Sequence, residues 1–314
     1  MLDFLKPVWN TFLVYPLISL LVAAYDIVPD FGLAVVIVTV AIRLALYPLF
    51  RAQVMSSRKM QELAPALNDI KKKYGNDRAR VQQEQMKLYQ ERGINPAAGC
   101  LPMLVFFPVL FAMYAAFQQV GGLNNVPAAT GEQLREYIWP FIPLPALVND
   151  HIDLTAHWLP WVGSLAHPDH LFFDFIGPLP IISAILQLIA SVQALPRNPP
   201  QTDDPTQRTM QSMTYYLPLI TVVFFKDLAS GVFIYYITTT IFQIVQQYFV
   251  MGWGQLPRWV PALNQIPTPA DRAMREREQA AIKEAEADMK LADGVGAQKR
   301  DATGGRRRGR RRKR

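Results

Sequence analysis

Cysteine is nearly missing from this sequence: Cys100 is the single one in 314 residues. An intrachain disulfide is therefore excluded, and no Cys-x-x-Cys redox or zinc motif can form. Histidine is almost as scarce. All four, His151, His157, His167 and His170, fall in one connection, at spacings that match no tight metal-ligand pattern. No metal and no cofactor is expected. No glycine-rich phosphate cradle is visible, so nucleotide-driven work lacks its usual anchor. No Ser/His or paired-Asp arrangement lies within the apolar runs, so no catalytic residue is assigned and an enzyme is not expected. Charged residues are also few, 18% of the chain against 51% hydrophobic.

Apolar length is what the chain has in abundance. Phe31–Phe50, FGLAVVIVTVAIRLALYPLF, reaches the ~20 residues needed to cross a hydrocarbon core, yet it contains Arg43. A guanidinium at mid-membrane costs on the order of 3 kcal/mol or more, so it faces protein or water rather than lipid. Arg51, Arg58 and Lys59 follow, which puts Arg43 about two turns inside one membrane face. Two readings stay open: snorkelling toward the headgroups, or service in a water-filled cavity. Ala97–Phe117, Leu171–Leu195, Met210–Phe225 and Gly231–Met251 are further apolar runs, the fourth span being interrupted by Pro218. Five spans are thus expected. Thr11–Tyr25 contains Pro16 and is closed by Asp26, Pro29 and Asp30; it either spans or lies along the interface. The start does not read as a cleavable signal, because only Lys6 precedes the apolar stretch and no small-residue cleavage pattern ends it.

Charge sets the orientation. The region 51–92 carries ten Lys/Arg against five Asp/Glu, whereas 118–172 has Arg135 alone against five acidic residues. The stretch 267–314, with fifteen Lys/Arg and eight Asp/Glu, accounts for the whole net charge of +7. One arrangement satisfies all three: the Arg43 helix runs outside to inside, 51–92 and the tail are cytoplasmic, and 118–172 is external.

The expected fold is an all-α polytopic membrane protein with a five-helix transmembrane core. Its parts are an interfacial or spanning N-terminal helix (1–30), the first core helix (31–50), a cytoplasmic helical hairpin (51–95) and the second core helix (96–118). An extracytoplasmic connection (119–170), a third helix (171–195), a cytoplasmic loop (196–209), a fourth helix (210–226), a fifth (227–251) and a largely disordered basic tail (252–314) follow. In the hairpin, Met60, Leu63, Leu67, Ile70 and Tyr74 form one apolar stripe that Val81 and Leu88 can meet after the turn at Gly75–Asn76–Asp77, and Pro65 should bend the first arm. It is either a solvated link between spans or a docking arm for anionic lipid, ribosome or a partner. Asn95–Pro96 reads as a helix start. Thr39, Arg43 and Tyr47, four apart, share one face. Gln243, Gln246 and Gln247 share another, suited to hydrogen bonding inside the bundle or to lining a groove. Tyr235 and Tyr236 point to different faces. Trp139, Trp158 and Trp161 read as membrane-surface anchors.

FGLAVVIVTVAIRLALYPL, the hairpin with LAPALNDIKKKYG, KLYQERGINPAAGCLPMLVFFPVLFAMY and the closing ASGVFIYYITTTIFQIVQQ occur in one order over about 31–250. In that combination the chain resembles the core of the YidC/Oxa/Alb membrane protein insertases. The resemblance implies an insertase of the bacterial plasma (inner) membrane, multi-pass with a cytoplasmic C-terminus. It would receive the hydrophilic tails of nascent membrane proteins in a groove open to cytoplasm and lipid, alone or beside the Sec translocon. It implies groove residues Arg43, Thr39 and Tyr236, and Gln193 with Gln187 as the alternative. The rival from another class is a small-solute transporter or channel, which often shows internal repeats; none is visible. The chain departs from the family pattern in three places. About thirty residues precede the core, so the large extracytoplasmic domain of many members is not expected; the aromatic common before the Pro-Ser-Gly of the last loop is not visible in Phe-Lys-Asp-Leu-Ala-Ser-Gly (225–231); and the external connection 118–172 is long and Pro-rich.

The tail ends in Arg306, Arg307, Arg308, Arg310, Arg311, Arg312, Lys313 and Arg314, broken only by Gly309. Such a run binds polyanions by counterion release. The resemblance favours ribosomal RNA, with anionic membrane lipid as competitor. Co-sedimentation should show the full chain binding ribosomes at least about tenfold more tightly at low salt than residues 1–300, the gap closing as salt rises. Equal binding at every salt concentration would remove the tail from this role.

Overall fold

Proline and capping residues decide where this chain breaks into helices. The computed structural model describes residues 5–75, 77–94, 101–121, 129–140, 152–169, 176–196 and 205–272, with Glu276 and Gln279. Every regular element among them is helical, in agreement with the all-α expectation. Asn95–Pro96, Cys100, His151, His170 and Arg306–Arg314 lie outside the described residues.

Helices α1 (Leu5–Trp9) and α2 (Tyr15–Ile27) are joined by a π-helical turn, Asn10–Val14. Pro16 cannot donate to a carbonyl one turn back, and the wider turn before it absorbs that loss. Pro7–Ile27 together is 21 residues, long and apolar enough to cross a membrane. Among the described residues it is the one unbroken helical stretch that meets this test. Helix α3 (Phe31–Ala45) is capped by Asp30, whose Oδ1 accepts from the Leu33 amide at 2.9 Å. It ends at Leu46, and α4 (Tyr47–Glu62) leaves at 66°. The expected first core helix 31–50 is therefore two helices. Pro48 explains the break: it has no N–H for the Leu44 carbonyl, which accepts from the Leu46 amide instead.

The hairpin continues as α5 (Ala64–Tyr74) and α6 (Arg78–Glu91), which pack on each other. The first arm breaks at Leu63, just ahead of Pro65. Asp77 caps α6 by accepting from the Arg80 amide at 3.0 Å, and the Tyr74 ring carries Arg80 and Lys73 at 5.1 and 5.2 Å. Then come α7 (Leu101–Gly121), α8 (Gly131–Tyr137, with a Thr130–Gln133 capping box), α9 (Pro178–Gln193), α10 (Pro205–Phe225) and α11 (Ser230–Met251). Helix α10 starts inside the expected loop 196–209, with Pro205 as its first residue, a position where a missing N–H costs nothing. At 16 residues, α9 covers about 24 Å.

Helix α11 is central: it packs on α9 and α3, while α10 lies on α9, and α2 on α3 and α7. At one end of this bundle the interior is dry. Phe31, Met113, Phe117, Leu134, Leu165 and Ile18 are fully buried there, with Phe31 and Phe117 edge to face at 5.6 Å. The connection 152–169 closes this end by accepting from the free amides of two helix N-termini, those of α9 and α11, and by donating to the capping Asp30 of a third, α3. Asp30 accepts from the His157 amide (3.1 Å) and Trp158 Nε1 (3.2 Å). The His167 carbonyl accepts from the Ser230 amide (2.9 Å) and hydroxyl (2.7 Å), and the Leu165 carbonyl from the Gly231 amide (3.0 Å). Asp169, 4% exposed, accepts from the Leu179 amide at 2.9 Å.

The expected tail 252–314 does not begin as tail. Gly252 ends α11 at φ 81°, and Gln255, Leu256 and Pro257 are buried. The Gln255 amide and Nε2 donate to the Val192 and Pro196 carbonyls at 3.3 and 3.1 Å, which straps α11 to the end of α9. The compact unit runs to Asn264. Gln265–Arg314 is a second unit, in which Thr268 and Asp271 exchange hydrogen bonds at a helix start.

A Cβ at Gly231 would lie 2.1 Å from the Phe117 ring. Gly231→Ala is therefore expected to cost about 1–3 kcal/mol of stability by overpacking. A thermal midpoint unchanged in detergent or nanodiscs would show that α7 and α11 do not meet this closely.

Candidate functional site

The bend at Leu46 is what opens the other end of the bundle. Past it, α4 crosses toward α11 and presents Phe50, Gln53, Val54 and Ser57, one face at spacings of three and four. With Arg43 from the end of α3, Gln187, Ala190, Ser191 and Ala194 from α9, and the stretch of α11 from Tyr236 to Met251, these residues enclose a groove of about 320 Å³. That volume far exceeds the ~10–15 Å³ that one water requires. From α11 come Tyr236, Thr239, Thr240, Gln243, Gln246, Gln247 and Met251. Among the described residues, no lining residue is acidic and Arg43 alone is basic.

Arg43 is only 8% exposed and has no carboxylate partner among the described residues. Its guanidinium carbon lies 4.3 Å from the Phe50 ring centroid. The charge is thus neither paired with a carboxylate among the described residues nor open at the surface; it borders the groove. Gln246 Nε2 and Gln247 Oε1 are buried with no hydrogen-bond partner among the described residues. Orphan polar groups of this kind, beside a volume of this size, call for water.

The other sequence-derived candidates divide. Tyr236 and Gln187 both line the groove, the Tyr236 hydroxyl donating to Gln187 Oε1. Gln193 lies behind the wall: it is fully buried, and its Nε2 donates to the Ile244 and Gly252 carbonyls at 3.2 and 3.1 Å. Its position depends on Gly254, where a Cβ would lie 2.0 Å from the Gln193 carbonyl oxygen. Thr39, 1% exposed, donates to the Val35 carbonyl at 2.6 Å and borders a second cavity of about 20 Å³ with Arg43, Tyr235 and Thr239. Tyr235 and Tyr236 do face different spaces. Tyr47 leaves the face of Thr39 and Arg43 because the helix breaks before it, and it borders neither cavity. Gln243, Gln246 and Gln247, open in sequence between two uses, all line the groove.

Two contributions had no clear sequence signal. Gln53 and Ser57 enter the wall only because α4 turns toward α11. Arg58, which reads as an orientation charge, donates from a terminal nitrogen to the Val250 carbonyl at 2.7 Å and from Nε to Glu62 at 3.1 Å. A cation at the end of α11 also meets the favourable end of its dipole.

The model of the 60Kd inner membrane protein family matches residues 23–255. Among curated proteins, the membrane protein insertase YidC of Actinobacillus pleuropneumoniae serotype 3 is 30% identical over 242 residues, 77% of this chain and 37% of that protein. The proteins of the same name from Haemophilus influenzae (strain PittEE) and Histophilus somni (strain 2336) are 30% and 31% identical over the same shares. The chain spans a little over a third of the length of these relatives. A crystal structure of an active YidC insertase with its first transmembrane domain resolved aligns with a TM-score of 0.45 and 23% identity, over 79% of this chain and 47% of that one.

Arg58→Gln removes a charge-assisted bond, and a loss of about 1.5–3 kcal/mol in stability is expected, with Arg58→Lys losing less. A thermal melt in which both variants match the parent would show that α4 is not held to α11 by this contact.

Proposed function

Because the chain belongs to the 60Kd inner membrane protein family, we propose that it is a membrane protein insertase. It would receive the hydrophilic tails of nascent membrane proteins in the groove beside Arg43 and release their apolar segments sideways into lipid. The observation that supports this reading best is the buried Arg43 on a polar cavity, with no carboxylate partner and no acidic lining residue among the described residues.

The physical steps follow from that arrangement. A short polar tail entering the membrane loses hydration, which costs several kcal/mol per charge. A wet cavity walled by amides and hydroxyls replaces part of that hydration. An acidic tail also meets Arg43, an attraction of about 4 kcal/mol at 4 Å under an intermediate effective dielectric. The adjoining apolar segment then gains roughly 25 cal/mol for each Å² moved from water into lipid. No bond is made or broken and no nucleotide is needed, so the chain works as an insertase and chaperone rather than as an enzyme.

Orientation is part of the same proposal. Most groove residues of α3, α9 and α11 lie in the C-terminal halves of those helices, and the basic α4–α6 region leaves from that end. The positive-inside rule puts it in the cytoplasm. The dry end, roofed by 152–169, then faces outward and supports a groove closed to that side. The five core spans, cooperation with the Sec translocon, and contact of the basic tail with the ribosome or anionic lipid belong to this reading.

In proteoliposomes the chain should insert a single-span test protein and should not raise the flux of small solutes. Arg43→Ala is expected to lower insertion of an acidic-tailed substrate by about tenfold or more, the effect of losing some 1.4 kcal/mol, while Arg43→Lys retains most of it. Undiminished insertion of every tested substrate by the Ala variant would end the proposal.

A further inference from the structure

Arg43 and Phe50 stand together on the boundary between the groove and the smaller cavity, since both residues line both spaces. They are seven positions apart, about 10 Å along a straight helix. The 66° bend between α3 and α4 shortens that separation and brings the aromatic face to 4.3 Å from the guanidinium carbon. Phe50 is 8% exposed, so it is packed rather than free to swing through solvent. No carboxylate competes for the guanidinium among the described residues.

We infer that Phe50 is a positioning residue for Arg43, its ring holding the guanidinium at the groove wall and thereby setting a preference for acidic over neutral substrate tails. The inference rests on the insertase reading above. Its physical basis is the kind of partner a receiver charge can have. A resident carboxylate would neutralise Arg43 and have to be displaced by every incoming tail. Water alone would leave a long side chain free to sample many directions. An aromatic face attracts the cation through its quadrupole, more strongly once desolvated, and leaves its formal charge intact. Arriving carboxylate oxygens can therefore take up the guanidinium N–H groups while the ring keeps its hold on the planar face. An aliphatic side chain of similar size fills the same volume without that attraction.

The test compares two single-span proteins that differ only in an acidic or a neutral tail, inserted into vesicles by the full chain. Phe50→Leu should lower the acidic-to-neutral insertion ratio by about tenfold. Phe50→Trp should bring the ratio back to within about twofold of the parent. In an Arg43→Ala background, Phe50→Leu should leave the ratio where Arg43→Ala alone puts it, because there is no guanidinium left to hold. Thermal midpoints of all variants identify any that fail to fold, and the Trp variant remains informative if Leu is among them. The inference is overturned if Leu and Trp shift the ratio equally, if Leu lowers both substrates by the same factor, or if its effect adds to that of Arg43→Ala. A parent protein that inserts neither substrate overturns the insertase reading itself; a parent that inserts both, with a ratio unmoved by Leu, overturns the role of Phe50 alone.

Discussion

Burying a guanidinium without a carboxylate beside it is expensive, and most of the architecture around Arg43 can be understood as making that burial tolerable. The residue is fixed near the end of α3, where the helix stops at Leu46 instead of carrying its charge deeper into an apolar run. An aromatic ring from α4 covers one side at 4.3 Å. The remaining directions open on a cavity walled by hydroxyls and amides, in which water can solvate the cation. A dry salt bridge would have been a simpler way to bury the same charge, but a paired arginine has little attraction left for a visiting anion. Among the described residues the lining holds no acidic group, which on the proposed reading preserves that attraction.

The same bundle solves opposite problems at its two ends. Where the groove lies, α9, α11 and α4 are held by specific polar contacts at their ends: Gln193 to the Ile244 and Gly252 carbonyls, Gln255 to Val192 and Pro196, Arg58 to Val250. Apart from the bond to Ile244, these ties satisfy carbonyls at or just past helix ends, and together they keep those ends in place around a hollow. At the far end the helices begin, so it is amide hydrogens that need partners. Asp30, Asp169 and the carbonyls of Leu165 and His167 supply them, and a continuous apolar core fills the space between. On the proposed reading, a bundle with a polar hollow at one end and an apolar core at the other admits a polar segment from one side without becoming a pore.

Much of this was legible in the order of residues. Apolar runs located the helices, Pro65 and Gly75 located breaks in the hairpin, and Arg43 inside an apolar run left snorkelling and a water-filled cavity open. The misreadings share a cause. Treating 31–50 as one helix put Tyr47 on the face of Arg43, whereas the unsatisfied Leu44 carbonyl ahead of Pro48 is met by closing the helix at Leu46. Reading 252 onward as tail missed a strap whose stability comes from partners some sixty residues earlier, such as Val192 and Pro196. Gln193 and Gln187 could not be ranked by sequence: the choice depends on which way each faces after α9 meets α11, and Gly254 presses against the backbone of the former.

The sequence alone determined the helical class, the family, the sidedness of charge and the presence of a cation inside an apolar stretch. The family was legible as a resemblance in the combined order of its motifs; the others are local or additive properties, set by hydropathy, capping chemistry and charge along the chain. Tertiary structure alone decided that the cation borders a hollow, that α4 forms part of its wall, that Phe50 covers it and that the opposite end is roofed by 152–169. Those outcomes depend on a 66° change of direction and on contacts between residues far apart in the chain, and neither is encoded in the spacing of any one segment.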